Sequence, residues 1–221
     1  MELLDKKGRT EAEFLASYDK DRYEKPSVAA DIVVFSTVRA TDKSASYQVL
    51  LVRRGGQPFL GQYALPGGFV EPDETVEDAV SRELREETGV TTGKGYRKVT
   101  PQLLNVYSKP DRDPRMRVMS LAYVAVVNAA EVKVKAGDDA AEAGWFRINM
   151  TRTAINRESG VITYHLELTR EDICLSANLD YRRWYGVLTD NEEWTLHDSE
   201  GLAFDHAKII AEAFKKWQRM T

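Results

Sequence analysis

A run of acidic residues in the first half of the chain occupies positions where a helix would normally bury apolar side chains. Between residues 75 and 88 the apolar side chains recur at helical steps of three and four: Val76, Ala79, Val80 and Leu84. Glu83 and Glu87 lie inside the same arc, and Glu86 stands at i+3 from Glu83. A buried carboxylate without a counter-charge costs several kcal/mol or becomes protonated. Three oxygen ligands converging on one point suit Mg²⁺ or Mn²⁺, so the pattern predicts metal-assisted phosphate chemistry.

The same acids could instead form a solvated helix face with i,i+4 ion pairs, which is the common arrangement for such a run. The flanking residues favour a site. Residues 65–68, Leu-Pro-Gly-Gly, allow the backbone to approach a ligand and offer carbonyls to it. Glu74 precedes Arg82 by eight residues and can hold its guanidinium in a bidentate pair, and Gly89 suits the end of the helix.

Residues 68–90, GFVEPDETVEDAVSRELREETGV, resemble the Nudix box, G-x5-E-x7-R-E-U-x-E-E-x-G-U, in which U is an aliphatic residue. Every specified position is met: Gly68, Glu74, Arg82, Glu83, Leu84, Glu86, Glu87, Gly89 and Val90. The resemblance implies a loop–helix–loop that binds divalent cations, Mg²⁺ or Mn²⁺, and the diphosphate of a nucleoside-diphosphate-linked substrate. The metal ligands it implies are Gly67 through its carbonyl, Glu83, Glu86 and Glu87. Arg82 and Glu74 would be the pair that orients these glutamates.

Hydrolysis of a phosphoanhydride also needs a carboxylate that acts as a base or completes the metal shell. Glu86 is one candidate within the motif. Outside it the stretch 136–142, AGDDAAE, offers Asp138, Asp139 and Glu142, of which we take Asp139 as the catalytic candidate. An Asp-Asp pair after glycine is equally typical of a simple turn.

Four residues are candidates for contacts with the substrate: Arg54, Phe59, Gly68 and Arg115. Arg54 ends a strand before the Gly-Gly loop and could hold a phosphate or ribose, and Arg115 could reach the distal phosphate. Phe59 could stack on a base, although core packing would also explain it. A solvated turn would equally explain Arg115. We interpret His206, at the start of the last helix, as part of a structural cap.

The composition is that of a globular protein, with 43% hydrophobic and 30% charged residues among 221. The net charge of −4 gives no electrostatic footprint for nucleic acid, and the partner that the Nudix resemblance implies is a small-molecule nucleotide. No apolar run approaches the length of a membrane span, and residues 1–14 lack the features of a signal peptide. One cysteine, Cys174, and three scattered histidines predict neither an internal disulfide nor a thiolate cluster, which suits the cytoplasm.

The elements around the acidic helix are predicted from hydrophobic patterning. A short helix should follow the capping box of Thr10 and Glu13, and the final helix should span residues 204–217. The predicted strands cover residues 27–38, 47–53, 102–107 and 118–127, with a short one ending at 145–146. Strands between two principal helices indicate an α/β fold, an α/β/α sandwich with a mixed sheet, as the Nudix resemblance also implies. We predict one domain over residues 1–221, in which residues 147–199 form a β-rich insertion before the last helix.

Three stretches outside the motif resemble one branch of the family. Residues 23–35, 112–115 and 202–206 are similar to Nudix ADP-ribose pyrophosphatases and to the related transcriptional regulators of NAD metabolism. The resemblance implies Mg²⁺-dependent hydrolysis of ADP-ribose to AMP and ribose 5-phosphate, and a homodimer. The alternatives are hydrolysis of another nucleotide (NADH, a nucleoside triphosphate or a diadenosine polyphosphate) and a nucleotide-sensing regulator without catalysis. The intact motif and a chain that stops at Thr221, without the regulators' winged helix, favour the enzyme.

Overall fold

The computed structural model describes residues 3–39, 45–88, 99–129, 140–187 and 190–220. Its helices are α1 (Glu11–Ala16), α2 (Val76–Thr88) and α3 (His206–Gln218). Its strands are β1 (Ser27–Arg39), β2 (Ala45–Arg54), β3 (Tyr63–Ala64), β4 (Gly67–Phe69), β5 (Gln102–Tyr107), β6 (Val118–Val126), β7 (Ala140–Asn156), β8 (Val161–Arg170), β9 (Ile173–Trp184) and β10 (Asn191–Glu200).

The strands found in these ranges form one mixed sheet in the order β10-β9-β8-β7-β2-β1-β6-β5. The pair β1–β6 is parallel, and the other neighbours are antiparallel. The short strands β3 and β4 add to β2 and β1 respectively, and they carry the chain toward α2. The mixed sheet is the one that the sequence predicts.

The two principal helices cover opposite faces of the sheet, because side chains alternate along each strand. On one face the buried residues of α2 pack with strand residues in a single cluster: Ala79, Val80 and Leu84 with Ile32, Val34 and Leu50. On the other face α3 packs in the same way: Ile209, Ile210 and Phe214 with Val33, Phe35 and Val49. This arrangement confirms the predicted α/β/α sandwich.

The strand predicted to end near residue 146 is longer than expected. In the structure β7 continues to Asn156, because the alternation of Ile148 and Met150 with polar residues extends the buried face. The predicted β-rich insertion then forms the rest of β7 and the strands β8, β9 and β10, which lengthen the same sheet. Leu166, Leu179 and Trp194 from these strands belong to the same apolar cluster as α3.

The first helix confirms the predicted capping box. The Thr10 N–H donates to Glu13 Oε2 (2.8 Å), and the Glu13 N–H donates to Thr10 Oγ1 (3.2 Å). Helix α1 buries none of its residues. In the parts of the chain described above, no helix is both long enough and apolar enough to span a membrane.

Candidate active site

Helix α2 presents Glu83, Glu86 and Glu87 to a cleft. Its first turn is closed by a reciprocal cap in which the Asp78 N–H donates to Thr75 Oγ1 (3.2 Å) and the Thr75 N–H donates to Asp78 Oδ2 (3.3 Å). The helix is held against the sheet by its apolar side, so Glu83 and Glu87 are carried toward the floor of a cleft. Glu86 stands at the cleft's rim, with about half of its side chain exposed (52%).

Arg82 is held by a bidentate pair with Glu74, as the spacing of eight residues predicts. Arg82 Nη2 donates to Glu74 Oε1 at 2.7 Å, and Nε donates to Glu74 Oε2 at 3.2 Å. The hydrogen bond from Arg82 lowers the pKa of Glu74. Arg82 Nη1 also donates to Glu83 Oε1 (2.7 Å), and Nη2 reaches the carbonyl of Phe69 (3.2 Å). Glu74 therefore fixes a guanidinium that in turn orients Glu83.

The carboxylate of Glu87 is buried and incompletely satisfied. Its Oε2 has no hydrogen-bond partner within the described ranges, while the backbone N–H of Gly67 donates to the carboxylate. Burial raises the pKa of Glu87 to about 8, and the neighbouring charge of Glu83 adds to this effect. Burial also raises the pKa of Glu83, against the opposing influence of Arg82. The charged forms of Glu83 and Glu87 are therefore disfavoured in the absence of a cation.

Two glycines allow the loop before α2 to approach these acids. Gly67 has φ +145°, and a Cβ there would lie 2.1 Å from the carbonyl oxygen of Ala30. At Gly68 a Cβ would lie 2.2 Å from Glu83 Oε1. Any larger residue at Gly68 would occupy the space next to the Glu83 carboxylate. Packing against the β1 backbone therefore requires glycine at Gly67, whereas a Cβ at Gly68 would displace the Glu83 carboxylate.

The predicted convergence of Glu83, Glu86 and Glu87 on one cation stays a prediction. Across the described segments, no three carboxylates, histidines or cysteines are arranged as a metal-binding group. Two of these acids instead share one counter-charge, because Arg82 Nη1 lies 2.7 Å from Glu83 Oε1 and 3.7 Å from Glu86 Oε2.

Most of the predicted site residues line one cleft of about 940 Å³: Arg54, Gly67, Gly68, Arg82, Glu83, Glu86, Glu87 and Arg115. Glu74 reaches it through Arg82. Phe59 does not line the cleft. It packs on Phe204, which is a lining residue. Asp139 lies outside the described residues, and Glu142, which was weighed beside it, forms an ion pair with Arg170.

The wall of the cleft that does not belong to α2 is basic and aromatic. Arg54 Nε donates to the carbonyl of Pro58 (2.7 Å), and its guanidinium lies 5.0 Å from the ring centre of Phe204. Arg115 forms a bidentate pair with Asp113 (3.0 and 2.8 Å) and lies over Phe69 at 5.4 Å. The cleft lining therefore combines the acids of α2 with the guanidiniums of Arg54 and Arg115, which suits a metal-bound anion. Asp31 and Asp113 also line it, paired with Arg112 and Arg115.

A buried ionic network at the cleft is not predicted by the sequence patterns. Arg112 Nη2 donates to Asp205 Oδ1 (2.7 Å) and to Asp31 Oδ2 (3.3 Å), and its Nε donates to Asp205 Oδ2 (3.2 Å). Burial works against the charge of Arg112, yet Asp205 and Asp31 together raise its pKa. Ser120 donates a short hydrogen bond to Asp31. Asp31 could have been found, because it is the one acidic residue of β1 and stands between the apolar residues Ala30 and Ile32.

His206 is structural but does not cap α3. The N-cap residue is Asp205, whose side chain makes no capping hydrogen bond. His206 Nδ1 instead accepts a hydrogen bond from the N–H of Leu65 (2.8 Å), and burial lowers the pKa of its imidazole. The ring thus ties the loop before Gly67 to the start of α3.

Comparison with known proteins places this site in a family context. The family model described as NUDIX domain matches residues 26–165. Over 143 residues the chain is 43% identical to an ADP-ribose pyrophosphatase of Methanocaldococcus jannaschii, an alignment covering 64% of this chain and 75% of the relative. It is 33% identical over 123 residues to the ADPR responsive transcriptional repressor NtrR of Acinetobacter baylyi (54% and 44% covered). A crystal structure of a MutT/nudix family protein from Enterococcus faecalis superposes with TM-score 0.66 and 32% identity, covering 94% of this chain and 69% of that one.

Proposed function

The chain belongs to the Nudix family, and on that premise we propose that it is a metal-dependent pyrophosphatase that hydrolyses ADP-ribose to AMP and ribose 5-phosphate. One observation carries the proposal: the partly buried acids Glu83 and Glu87 line the same cleft as Arg54 and Arg115. The identity of 43% with an ADP-ribose pyrophosphatase supports the choice of substrate. The reaction adds one water across the phosphoanhydride bond.

The acidic side of the cleft fits a divalent cation. Glu87 Oε2 is buried without a partner in the described parts of the chain, and burial raises the pKa of both Glu87 and Glu83. A bound cation would stabilise the charged forms of these two carboxylates. The residues that would hold Mg²⁺ or Mn²⁺ are Glu83, Glu86, Glu87 and the carbonyl of Gly67. The cation, when bound, neutralises phosphate charge and lowers the pKa of a bound water.

The chain's own residues supply orientation and charge. The Glu74–Arg82 pair fixes Glu83, so its carboxylate does not have to be ordered when substrate binds. Arg54 and Arg115 bind phosphate oxygens from the opposite wall, where guanidiniums form charge-assisted hydrogen bonds. Glu86, exposed at the rim, can accept the proton of the attacking water. Asp139 stays a second candidate for that role.

A nucleotide-sensing regulator is the second candidate function. The 33% identity with an ADPR responsive repressor favours it, although the chain spans less than half of that protein's length (44%). A sensor needs the basic wall for binding but has no need of a buried acid that lacks a partner. The charge arrangement around Glu87 therefore supports hydrolysis rather than sensing alone.

A homodimer is part of the proposal. Helix α1 buries none of its residues against its own chain. Its segment exposes several large apolar side chains: Leu4, Phe14, Leu15 and Tyr18. A second copy would cover them, which light scattering of the purified protein at several concentrations would test. A monomer at all concentrations would contradict the dimer.

A substrate panel with Mg²⁺ tests the proposed activity. ADP-ribose, NADH, nucleoside triphosphates and diadenosine polyphosphates are each incubated with the protein, and products are identified by chromatography. We expect the highest kcat/KM for ADP-ribose, with AMP and ribose 5-phosphate as products and no turnover in EDTA. A higher kcat/KM for another substrate would overturn the choice of ADP-ribose, and no turnover of any substrate would favour the sensor.

A further inference from the structure

Phe204 has a backbone conformation that its side chain disfavours. Its φ is +54°, in the left-handed region that favours glycine. Phe59, which meets it edge to face at 4.7 Å, is also left-handed, with φ +62°. A phenylalanine persists in such a conformation only where its surroundings impose it, and outliers of this kind cluster at functional sites.

The backbone around Phe204 is fixed from both sides. The Ala203 N–H donates to the carbonyl of Tyr63 (2.8 Å), and the Tyr63 N–H donates to the carbonyl of Gly201 (2.8 Å). On the other side, Asp205 holds the buried guanidinium of Arg112. The ring of Phe204 is consequently aimed into the cleft by contacts made elsewhere in the fold.

The ring of Phe204 contacts both arginines of the basic wall. Arg54, at the end of β2, lies 5.0 Å from its centre, and Arg115, from the β5–β6 connection, lies 5.9 Å from it. These arginines come from separate elements, and Phe204 is the ring they share. An aromatic face attracts a guanidinium without cancelling its charge, so it can hold an arginine that must still bind an anion.

We propose that Phe204 is a positioning residue that holds Arg54 and Arg115 together for the diphosphate of the substrate. The inference rests on the proposed function. The acids of α2 repel a diphosphate, so affinity depends on cations on the facing wall at fixed separation. Asp113 holds the Arg115 guanidinium, and Phe204 is the ring that joins Arg115 to Arg54. Phe204 acts through the arginines rather than by contacting the reacting atoms.

Three substitutions at Phe204 separate this role from simple packing. Phe204→Leu keeps most of the bulk but removes the aromatic face, and we expect KM for ADP-ribose to rise roughly tenfold with kcat changed much less. Phe204→Tyr, which keeps the aromatic face, should have the KM of the wild type. Phe204→Gly relieves the left-handed backbone while removing the ring, so we expect a raised KM even where the melting temperature does not fall.

A double-mutant cycle provides a readout that a packing role would not move. We expect Arg115→Lys to raise KM less in the Phe204→Leu background than in the wild type, because the ring that positions Arg115 is already gone. The matched control is Tyr23→Leu, which removes another ring lying near an arginine (Arg22, 5.4 Å) but in the exposed segment before β1, outside the cleft lining. It should change neither KM nor kcat.

Binding of inorganic pyrophosphate in EDTA, measured by calorimetry, separates failure of this inference from failure of the proposed function. If the wild type hydrolyses ADP-ribose and Phe204→Leu has wild-type KM, the role of Phe204 is refuted and the function stands. If the wild type does not hydrolyse ADP-ribose, pyrophosphate decides. Weaker binding by Phe204→Leu supports the positioning role, and equal binding refutes it.

Discussion

The chemistry of the cleft depends on individual carboxylates whose surroundings oppose their charge. Glu87 is the clearest case, because one of its oxygens is buried without a partner and burial raises its pKa to about 8. Glu74 shows the opposite shift, since a hydrogen bond from Arg82 lowers its pKa. The two glutamates of this motif therefore differ in role: Glu74 holds an arginine, and Glu87 is proposed to bind a cation.

The raised pKa of Glu87 predicts how the metal-free protein responds to pH. Its pKa in the folded state, about 8, lies above the ordinary value of 4.5. Between these values the folded state binds more protons than the unfolded state, so stability is fully present below pH 4.5 and is lost as pH rises toward 8. We expect the unfolding free energy in EDTA to fall by up to about 1.4 kcal/mol per pH unit. Urea denaturation of the wild type and Glu87→Gln measures it, and equal slopes for the two proteins would contradict the shift.

At the scale of elements, the cleft is assembled from segments that are far apart in the sequence. Arg112 joins the β5–β6 connection to the start of α3 through Asp205 and to β1 through Asp31. His206 joins α3 to the loop before Gly67. These links help to fix the distance between the acidic helix and the basic wall. The geometry of the site therefore depends on how β1, the β5–β6 connection, the loop before Gly67 and α3 pack together.

Removing Arg112 should be costly because it leaves two acids uncompensated. Arg112→Met would strand Asp31 and Asp205 near the floor of the cleft, and we expect a loss of about 3–5 kcal/mol in the unfolding free energy. Lys109→Met is the matched control from the same connection, since the Lys109–Asp111 pair is exposed. Urea denaturation at neutral pH measures both. Equal losses in the two variants would show that the Arg112 network has no special role.

The extent to which the sequence predicts these elements follows from the range of the interactions. Helix α2 and its Arg82–Glu74 pair are predicted correctly because every contact lies within a few turns of chain. The Arg112 network joins residues 81 and 93 positions apart, and no local pattern records such a pairing. The length of β7 was underestimated because its alternation continues past Phe146 into residues that also suit a turn. Asp31 is recognisable in the sequence as an acid within a buried strand. Hydrophobic patterning does not identify Arg112 as its partner.

At the scale of the whole molecule, the additional strands extend the sheet and its core. The strands β8, β9 and β10 continue the order of the sheet beyond β7. Leu168, Leu179 and Trp194 belong to the same apolar cluster as Val33 and Phe35 of the central strand. A shared core couples the outer strands to the sheet that carries the cleft.

This shared core predicts cooperative unfolding. Leu179, fully buried in β9, should cost about 2–5 kcal/mol when replaced by alanine. Activity and far-ultraviolet circular dichroism should then be lost at the same urea concentration. Ile155→Ala is the control, because Ile155 of β7 is half exposed and should change stability little. Loss of the circular dichroism signal in two steps, with activity surviving the first, would show that the outer strands unfold independently.

The turnover of Glu87→Gln with ADP-ribose and Mg²⁺ tests the central claim most directly. The substitution keeps the size of the side chain, so it leaves no cavity. It removes both the charge that would hold the cation and the titratable group whose pKa is raised. The account predicts that kcat falls at least about a hundredfold while the circular dichroism spectrum is unchanged. Glu77→Gln, on the same helix, retains an acceptor for the Tyr123 hydroxyl and should have wild-type kcat. Turnover of Glu87→Gln close to that of the wild type would contradict a cation-dependent reaction at this site.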